Sequence, residues 1–247
     1  MTDLCFHSLP DGRRIAFRHT KGGGAAPTLV FLPGYMSDMS GSKATALFAR
    51  AGAEGRGCLL LDYSGCGASS GAFADGTQSR WREEVLAVIA AEVQGRVLLA
   101  GSSMGGWLML LVAEQLGERL AGMIGIAPAP DFTRWGYTSE QQAALAAGET
   151  IYEPNPYGPE PTPTYAAFYA DAAQHMRLEG QVTLTCPVHL VHGQRDADVP
   201  WKISLELAAA LASDSVQVTL IKDGDHRLSR PADIAVIEAA VAGFYRE

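Results

Sequence analysis

The sequence predicts an α/β protein: one open, mostly parallel sheet of eight strands with helices on both faces. Two observations carry this. Short apolar runs alternate with longer stretches of helical period along most of the chain. Runs such as TLVFL at 28–32 and CLLLD at 58–62 have almost no polar face, which a strand tolerates only when helices cover both sides of its sheet. The 247 residues suit a single domain of this class, and 47% apolar against 19% charged content is enough to build a large core.

Each element has its own reason. Leu4–His7 and Ile15–His19 are short strands separated by Pro10-Asp11-Gly12, a turn sequence, so they form an antiparallel hairpin. Leu29–Leu32 and Cys58–Asp62 are buried strands around a helix at Ala44–Ala53. In a helix at Arg80–Val93, Trp81, Val85, Val88 and Ile89 share one face. Strand Val97–Ala100 leads into helix Met104–Leu116, and strand Met123–Ile126 follows. Val188–His192 and Val216–Ile221 complete the eight strands around a helix at Ile203–Leu211. Pro231 opens a last helix at Ala232–Tyr245, where its missing N–H costs nothing.

Residues 131–180 break the rhythm. They hold no convincing strand and five prolines between Pro154 and Pro163. They also hold Phe132, Trp135, Tyr137, Tyr152, Tyr157, Tyr165, Phe168 and Tyr169, twice the share of aromatics that chance would place there. A linker does not carry such a load. The expectation is one domain over 1–247 with a cap insertion at about 131–180, its aromatics either lining a pocket or packing the insertion onto the body. Arg134 and Arg177 within it read as solvated surface, with contact to an anionic leaving group as the alternative.

Bulk chemistry excludes several classes. A formal charge of −8 argues against nucleic-acid and anionic-membrane partners, both of which need a basic patch. No apolar run approaches the ~20 residues of a membrane span, so stable membrane insertion is not expected. The six histidines and four cysteines form neither HExxH nor a zinc pattern, so no metal and no cofactor are expected. Cys5, Cys58, Cys66 and Cys186 read as buried structural thiols. With no apolar leader at the amino terminus and no paired cysteines, a reducing, cytoplasmic setting is expected.

The chemistry concentrates where RVLLAGSSMGGW, residues 96–107, turns from a buried strand through Gly and Ser into an apolar helix. Gly101-x-Ser103-x-Gly105 at that junction has the form of a nucleophile elbow. The tight turn lifts Ser103 above the carboxyl end of the sheet, and the flanking glycines let strand and helix approach. Ser102 is out of register and points away. A serine needs a base, and the base an orienting acid, in the chain order Ser, acid, His for this architecture. Asp196 follows the strand in VHLVHGQRDADVPW, and His226 follows the strand in VQVTLIKDGDHR. Asp198 competes with Asp196, and the pattern His-Gly-x-x-Asp-x-x-Val-Pro favours Asp196, while Asp223 and Asp225 read as turn residues. His192 ends a strand and reads as structural, and His7, His19, His175 and His189 have no partner pattern. Two backbone N–H groups, of Met104 behind the serine and Tyr35 after Pro33-Gly34, are the candidate oxyanion donors. The Gly-rich loop DYSGCGASSG at 62–71 lacks a phosphate-loop motif and reads as scaffold.

On FLPGYMSDMSGSKA, LDYSGCGASSG, GSSMGGWLMLL, CPVHLVHGQRDADVPW and DGDHR, the chain resembles the α/β-hydrolase superfamily along essentially its whole length. More narrowly it is similar to the animal mitochondrial acyl-protein thioesterases, described as removing long acyl chains from cysteine and as cleaving acyl glucuronides. The resemblance implies Ser103 as nucleophile, Asp196 as orienting acid and His226 as base. The chain lacks a Ser- and Arg-rich transit peptide, so the mitochondrial address is not expected to carry over. The expected activity is hydrolysis of carboxylic esters or thioesters, on a small-molecule or acyl-protein substrate, falling in acid as the base protonates. The alternatives are C–C bond hydrolysis or perhydrolysis by the same three residues, and a non-catalytic binding module.

Overall fold

The computed structural model describes residues 2–156 and 158–245. Tyr157, one of the aromatics noted above, lies outside the described residues. In chain order the elements are β1 (Cys5–Ser8), β2 (Arg14–Thr20), β3 (Thr28–Leu32), α1 (Ser42–Ala53), β4 (Cys58–Leu61), α2 (Gln78–Glu92), β5 (Val97–Ser102), α3 (Met104–Leu116) and β6 (Leu120–Ile126). There follow α4 (Phe132–Trp135), α5 (Ser139–Ala146), β7 (Ile151–Glu153), β8 (Thr162–Thr164), α6 (Ala166–Ala172), β9 (Val188–Gly193), α7 (Lys202–Ala210), β10 (Val216–Ile221) and α8 (Pro231–Gly243).

Eight strands form one sheet in the order β1-β2-β4-β3-β5-β6-β9-β10. The β1–β2 and β2–β4 pairs are antiparallel, and every other pair is parallel. Period-two alternation assigns side chains to the two faces. Val30, Leu32, Leu59, Leu61, Val97 and Leu99 meet α2 and α3 through Trp81, Val85, Leu108 and Val112. Leu29, Phe31, Cys58, Leu60, Leu98 and Ala100 meet α1 and α8 through Leu47, Phe48 and Ile237. The strand residues are 0–3% exposed, each large one worth roughly 1.5–3 kcal/mol over an exposed position.

The segment between β6 and β9 departs from expectation. It contains an antiparallel ribbon, β7 with β8, that the sequence gives no sign of. Pro163 sits opposite Tyr152, and a two-stranded ribbon tolerates a proline because half of its backbone groups face away from the partner. The ends of the segment are clamped together. The buried Asp131 carboxylate accepts from the backbone N–H groups of Arg177 at 2.9 Å and Leu178 at 2.7 Å. Burial raises the Asp131 carboxyl, partly offset by the Leu178 and Arg177 donors. On the far side, Ser79 meets Asp171 through its backbone N–H at 2.9 Å and His175 through its hydroxyl at 2.7 Å, tying α2 to α6 and the turn after it.

The approach of α3 to the sheet is the tightest contact that matters for the site. A Cβ on Gly105 would lie 2.2 Å from the Leu32 carbonyl oxygen, and one on Gly101 2.3 Å from that of Gly105. Gly105→Ala is therefore expected to lower unfolding stability by roughly 2 kcal/mol or more. Gly52→Ala, in α1 where an added Cβ meets nothing within 4 Å, is expected to raise it by about 0.5 kcal/mol. Urea denaturation of both variants checks the pair.

Candidate active site

Ser103 stands between β5 and α3 at φ 55° and ψ −124°, a conformation an L-residue holds only under constraint. The constraint is visible. Its N–H donates to Ile126 O at 3.0 Å, and its carbonyl accepts from Gly106 N at 2.8 Å and Ala129 N at 3.0 Å. The turn thereby presents the hydroxyl at the carboxyl edge of the sheet. Ser102 lies within β5, 8% exposed, and the hydroxyl that meets a histidine is that of Ser103.

Three loops converge there. His226, after β10, has Nε2 3.1 Å from Ser103 Oγ and Nδ1 2.8 Å from Asp196 Oδ2. Asp196, after β9, has a fully buried side chain, and its Oδ1 accepts from Asp198 N at 2.9 Å and Val199 N at 2.8 Å. Of the two aspartates weighed from the sequence, Asp196 places its carboxylate in hydrogen-bond contact with the imidazole. Burial alone would raise its carboxyl. The donors from His192 and His226, the charge of His226 and the Val199 amide outweigh that and hold it well below the usual carboxylate range. His192 is the residue that sequence reasoning passed over: its Nε2 lies 3.1 Å from Asp196 Oδ2. Its place at the end of a buried strand was the one available signal, and it pointed equally to packing.

The loop after β3 faces Ser103. An added Cβ on Gly34 would lie 3.3 Å from Ser103 Cβ. Among the described residues, the hydrogen bonds give neither the Tyr35 nor the Met104 backbone N–H a protein acceptor. The loop is pinned from beneath. Met39 N donates to the buried Asp62 carboxylate at 2.7 Å, Ala68 N donates to the same group at 2.9 Å, and Tyr63 OH donates to Pro33 O at 3.0 Å. The Gly-rich loop after β4 is thus the support for the loop after β3. The Tyr35 ring packs edge-on against Phe73, Phe132 and Phe168, and its hydroxyl donates to Pro163 O at 3.1 Å.

A pocket of about 700 Å³ opens over Ser103 and His226. Tyr35, Met104, Phe132, Trp135, Tyr137 and Val199 give it an apolar wall, and Ser37, Asp38, Lys43, Asp198 and Arg227 a polar one. Lys43 Nζ donates to Arg227 O at 2.6 Å. Burial pushes its ammonium down to about 8, with Arg227 adding to the shift and Asp225 opposing it. Trp107 is buried, donates through Nε1 to His175 O at 2.9 Å and is not part of the pocket wall. Arg134 and Arg177 are also outside that wall, paired with Glu179 and Glu114. Donor atoms of Asp196, Asp198 and His226 fall within 4.8 Å of one another. A cation there would compete with the Asp196–His226 hydrogen bond.

Residues 29–237 match the alpha/beta hydrolase family. The rat protein named "Palmitoyl-protein thioesterase ABHD10, mitochondrial" (Rattus norvegicus) is 36% identical over 240 residues, covering 96% of this chain and 80% of that one. A solved structure from Agrobacterium vitis superposes with a TM-score of 0.92 at 38% identity, over 99% of this chain and 100% of that one. Mouse alpha/beta hydrolase domain-containing protein 10 superposes with a TM-score of 0.91 at 34% identity, over 99% of this chain and 98% of that one. The rat and human relatives are both named mitochondrial, which overturns the cytoplasmic placement read from the sequence. That placement rested partly on unpaired thiols, which argue against an oxidising setting without telling one reducing compartment from another. No described helix is long and apolar enough to cross a membrane.

The thiols themselves differ from the uniform burial expected: Cys58 and Cys66 are buried, Cys186 is half-buried and Cys5 is exposed. Burial pushes Cys66 up to about 12, with Asp62 and Glu84 adding to it, and pushes Cys186 up to about 11. A raised thiol stays protonated, and hence unreactive, at pH 8. Iodoacetamide at that pH is expected to label Cys5 first, leaving Cys58 and Cys66 unmodified until the protein unfolds, as read by peptide mass spectrometry.

Proposed function

The chain belongs to the α/β-hydrolase family and hydrolyses ester or thioester bonds, and from that premise we propose that Ser103, His226 and Asp196 are its catalytic triad. The observation that carries this is the unbroken chain Asp196 Oδ2 to His226 Nδ1 at 2.8 Å and His226 Nε2 to Ser103 Oγ at 3.1 Å, with Ser103 and His226 lining the pocket. Both distances are within the reach a base and its orienting acid require.

His226 Nε2 takes the Ser103 proton as Oγ attacks the acyl carbon. The carbonyl oxygen becomes an oxyanion facing the N–H groups of Tyr35 and Met104. Each such donor is worth about 3 kcal/mol in comparable sites. The imidazolium that forms is held against the Asp196 carboxylate, which its four N–H donors keep ionised. Collapse expels the thiol or alcohol, which leaves with the proton from His226 Nε2. Water then gives a proton to the same nitrogen and adds to the acyl-enzyme. Collapse of that second intermediate returns the proton to Ser103 Oγ and frees the acid.

The substrate reading follows from the relatives' name and the shape of the pocket. The cavity is in the range that holds a sizeable apolar ligand, about 300–1,000 Å³. We assign its apolar wall to a long acyl chain and residues 131–180 to a cap over the sheet edge. Phe132, Trp135 and Tyr137 of that segment face the chain and set its preferred length. An S-acylated cysteine of a protein or peptide is the substrate class that fits both.

Ser103→Ala is expected to reduce turnover of an S-palmitoyl peptide by at least ~10³-fold with melting temperature unchanged, and to abolish labelling by a fluorophosphonate probe. Asp196→Asn is expected to cost about 10⁴-fold. Hydrolysis by Ser103→Ala at the wild-type rate would overturn the assignment. A rate that does not rise between acetyl and palmitoyl thioesters would overturn the acyl-chain reading alone.

A further inference from the structure

We propose that His192 is a positioning residue of this site, holding the Asp196 carboxylate from the side opposite His226 and moderating how strongly that carboxylate acts on the base. The proposal rests on the triad reading above and assigns a function to a histidine outside the triad.

His192 is the penultimate residue of β9, and its side chain is 0% exposed. Its Nε2 lies 3.1 Å from Asp196 Oδ2 and 3.1 Å from Val199 O, and its Nδ1 lies 2.7 Å from Ser204 Oγ. A carboxylate oxygen and a carbonyl oxygen only accept, so the proton sits on Nε2 and is shared between them. Nδ1 then accepts from the hydroxyl of Ser204, a fully buried residue of α7. Every polar atom of the ring has a partner, and together those partners select one tautomer.

A purely structural histidine would account for Val199 and Ser204, since those two contacts join the loop after β9 to α7. It would not account for the third contact. His192 donates to the same oxygen, Oδ2, that His226 Nδ1 uses. The other oxygen is already engaged by the N–H groups of Asp198 and Val199. The carboxylate therefore has four N–H donors, two to each oxygen, and its rotation is locked from both sides. Part of its charge is spent on His192, so less is left to stabilise an imidazolium at His226. The other charged groups around His226 are Asp198 from the loop after β9, Lys43 at the start of α1, and Asp225 and Arg227 on its own loop.

The donor's removal has a consequence that loss of packing alone does not produce. With His192→Leu the Oδ2 atom regains a lone pair, the carboxylate favours the protonated base more strongly, and the acid limb of kcat/KM moves to higher pH. Orientation is lost at the same time, so kcat falls by about tenfold, the worth of one charge-assisted hydrogen bond. His192→Gln places an amide N–H near the position of Nε2 and should recover most of kcat and the wild-type acid limb.

The test is the pH profile of kcat and kcat/KM for wild type, His192→Leu and His192→Gln, with Ser103→Ala as control and melting temperatures for all four. Loss and upward shift in the leucine variant, with recovery by glutamine, is the result expected. A leucine variant with the wild-type acid limb, or a glutamine variant no better than leucine, would overturn the proposal. Should the leucine variant fail to fold, imidazole ¹⁵N spectra of the wild-type protein decide it: His192 as the Nε2–H tautomer is expected, and the Nδ1–H tautomer would overturn it. Turnover by Ser103→Ala would bring down the triad reading itself, which the His192 variants cannot do.

Discussion

The close approach of α3 to the sheet is the constraint from which the site follows. Ser103 can stand at φ 55° only because strand and helix nearly touch around it, and they touch because Gly101 and Gly105 lack a Cβ. The strained residue costs of order 1–3 kcal/mol, and the hydrogen bonds of its backbone to Ile126, Gly106 and Ala129 offset that. Gly34 then brings the loop after β3 to within contact of Ser103 Cβ. An ångström of separation between α3 and β5 would move the hydroxyl away from His226 and from both candidate oxyanion donors together.

Buried carboxylates at the carboxyl edge of the sheet do the remaining positioning. Asp62 ties the loop after β3 to the loop after β4, and Asp131 ties the start of the segment between β6 and β9 to its end. For both, burial dominates and raises the carboxyl. Asp196 is also shielded from solvent, yet it is driven the other way. The difference lies in the donors. Asp62 and Asp131 have backbone amides, whereas Asp196 has two backbone amides and two imidazoles. The same residue type serves as a loop staple in two places and, in the proposed mechanism, as a permanently charged orienter in the third.

Tyr35 links the site to its surroundings. Its backbone N–H faces the proposed oxyanion, its ring packs against Phe132 and Phe168 of the segment between β6 and β9, and its hydroxyl holds Pro163. The aromatics of residues 131–180 divide accordingly. Phe132, Trp135 and Tyr137 reach the pocket, while Phe168 is part of the main core. In the proposed reading, the surface that selects the acyl group and the loop that holds its oxyanion form one packed unit.

Much of this was legible in the letters of the chain. The eight strands, the hairpin at Pro10-Asp11-Gly12, the five long helices and the elbow at Ser103 are local patterns, set by side-chain periodicity and turn chemistry over a few residues. The candidate residues Ser103, Asp196 and His226 could be named because each follows a recognisable strand. The tertiary structure alone decided what depends on distance through space. It put β4 between β2 and β3, paired β7 with β8 across a proline-rich stretch, and set the Asp196–His226 contact at 2.8 Å. It placed Trp107 in the core and set His192 against the Asp196 carboxylate. A hydrogen bond between residues 123 positions apart leaves no periodic trace, because its length is fixed by how helices and sheet pack and not by the composition of either neighbourhood.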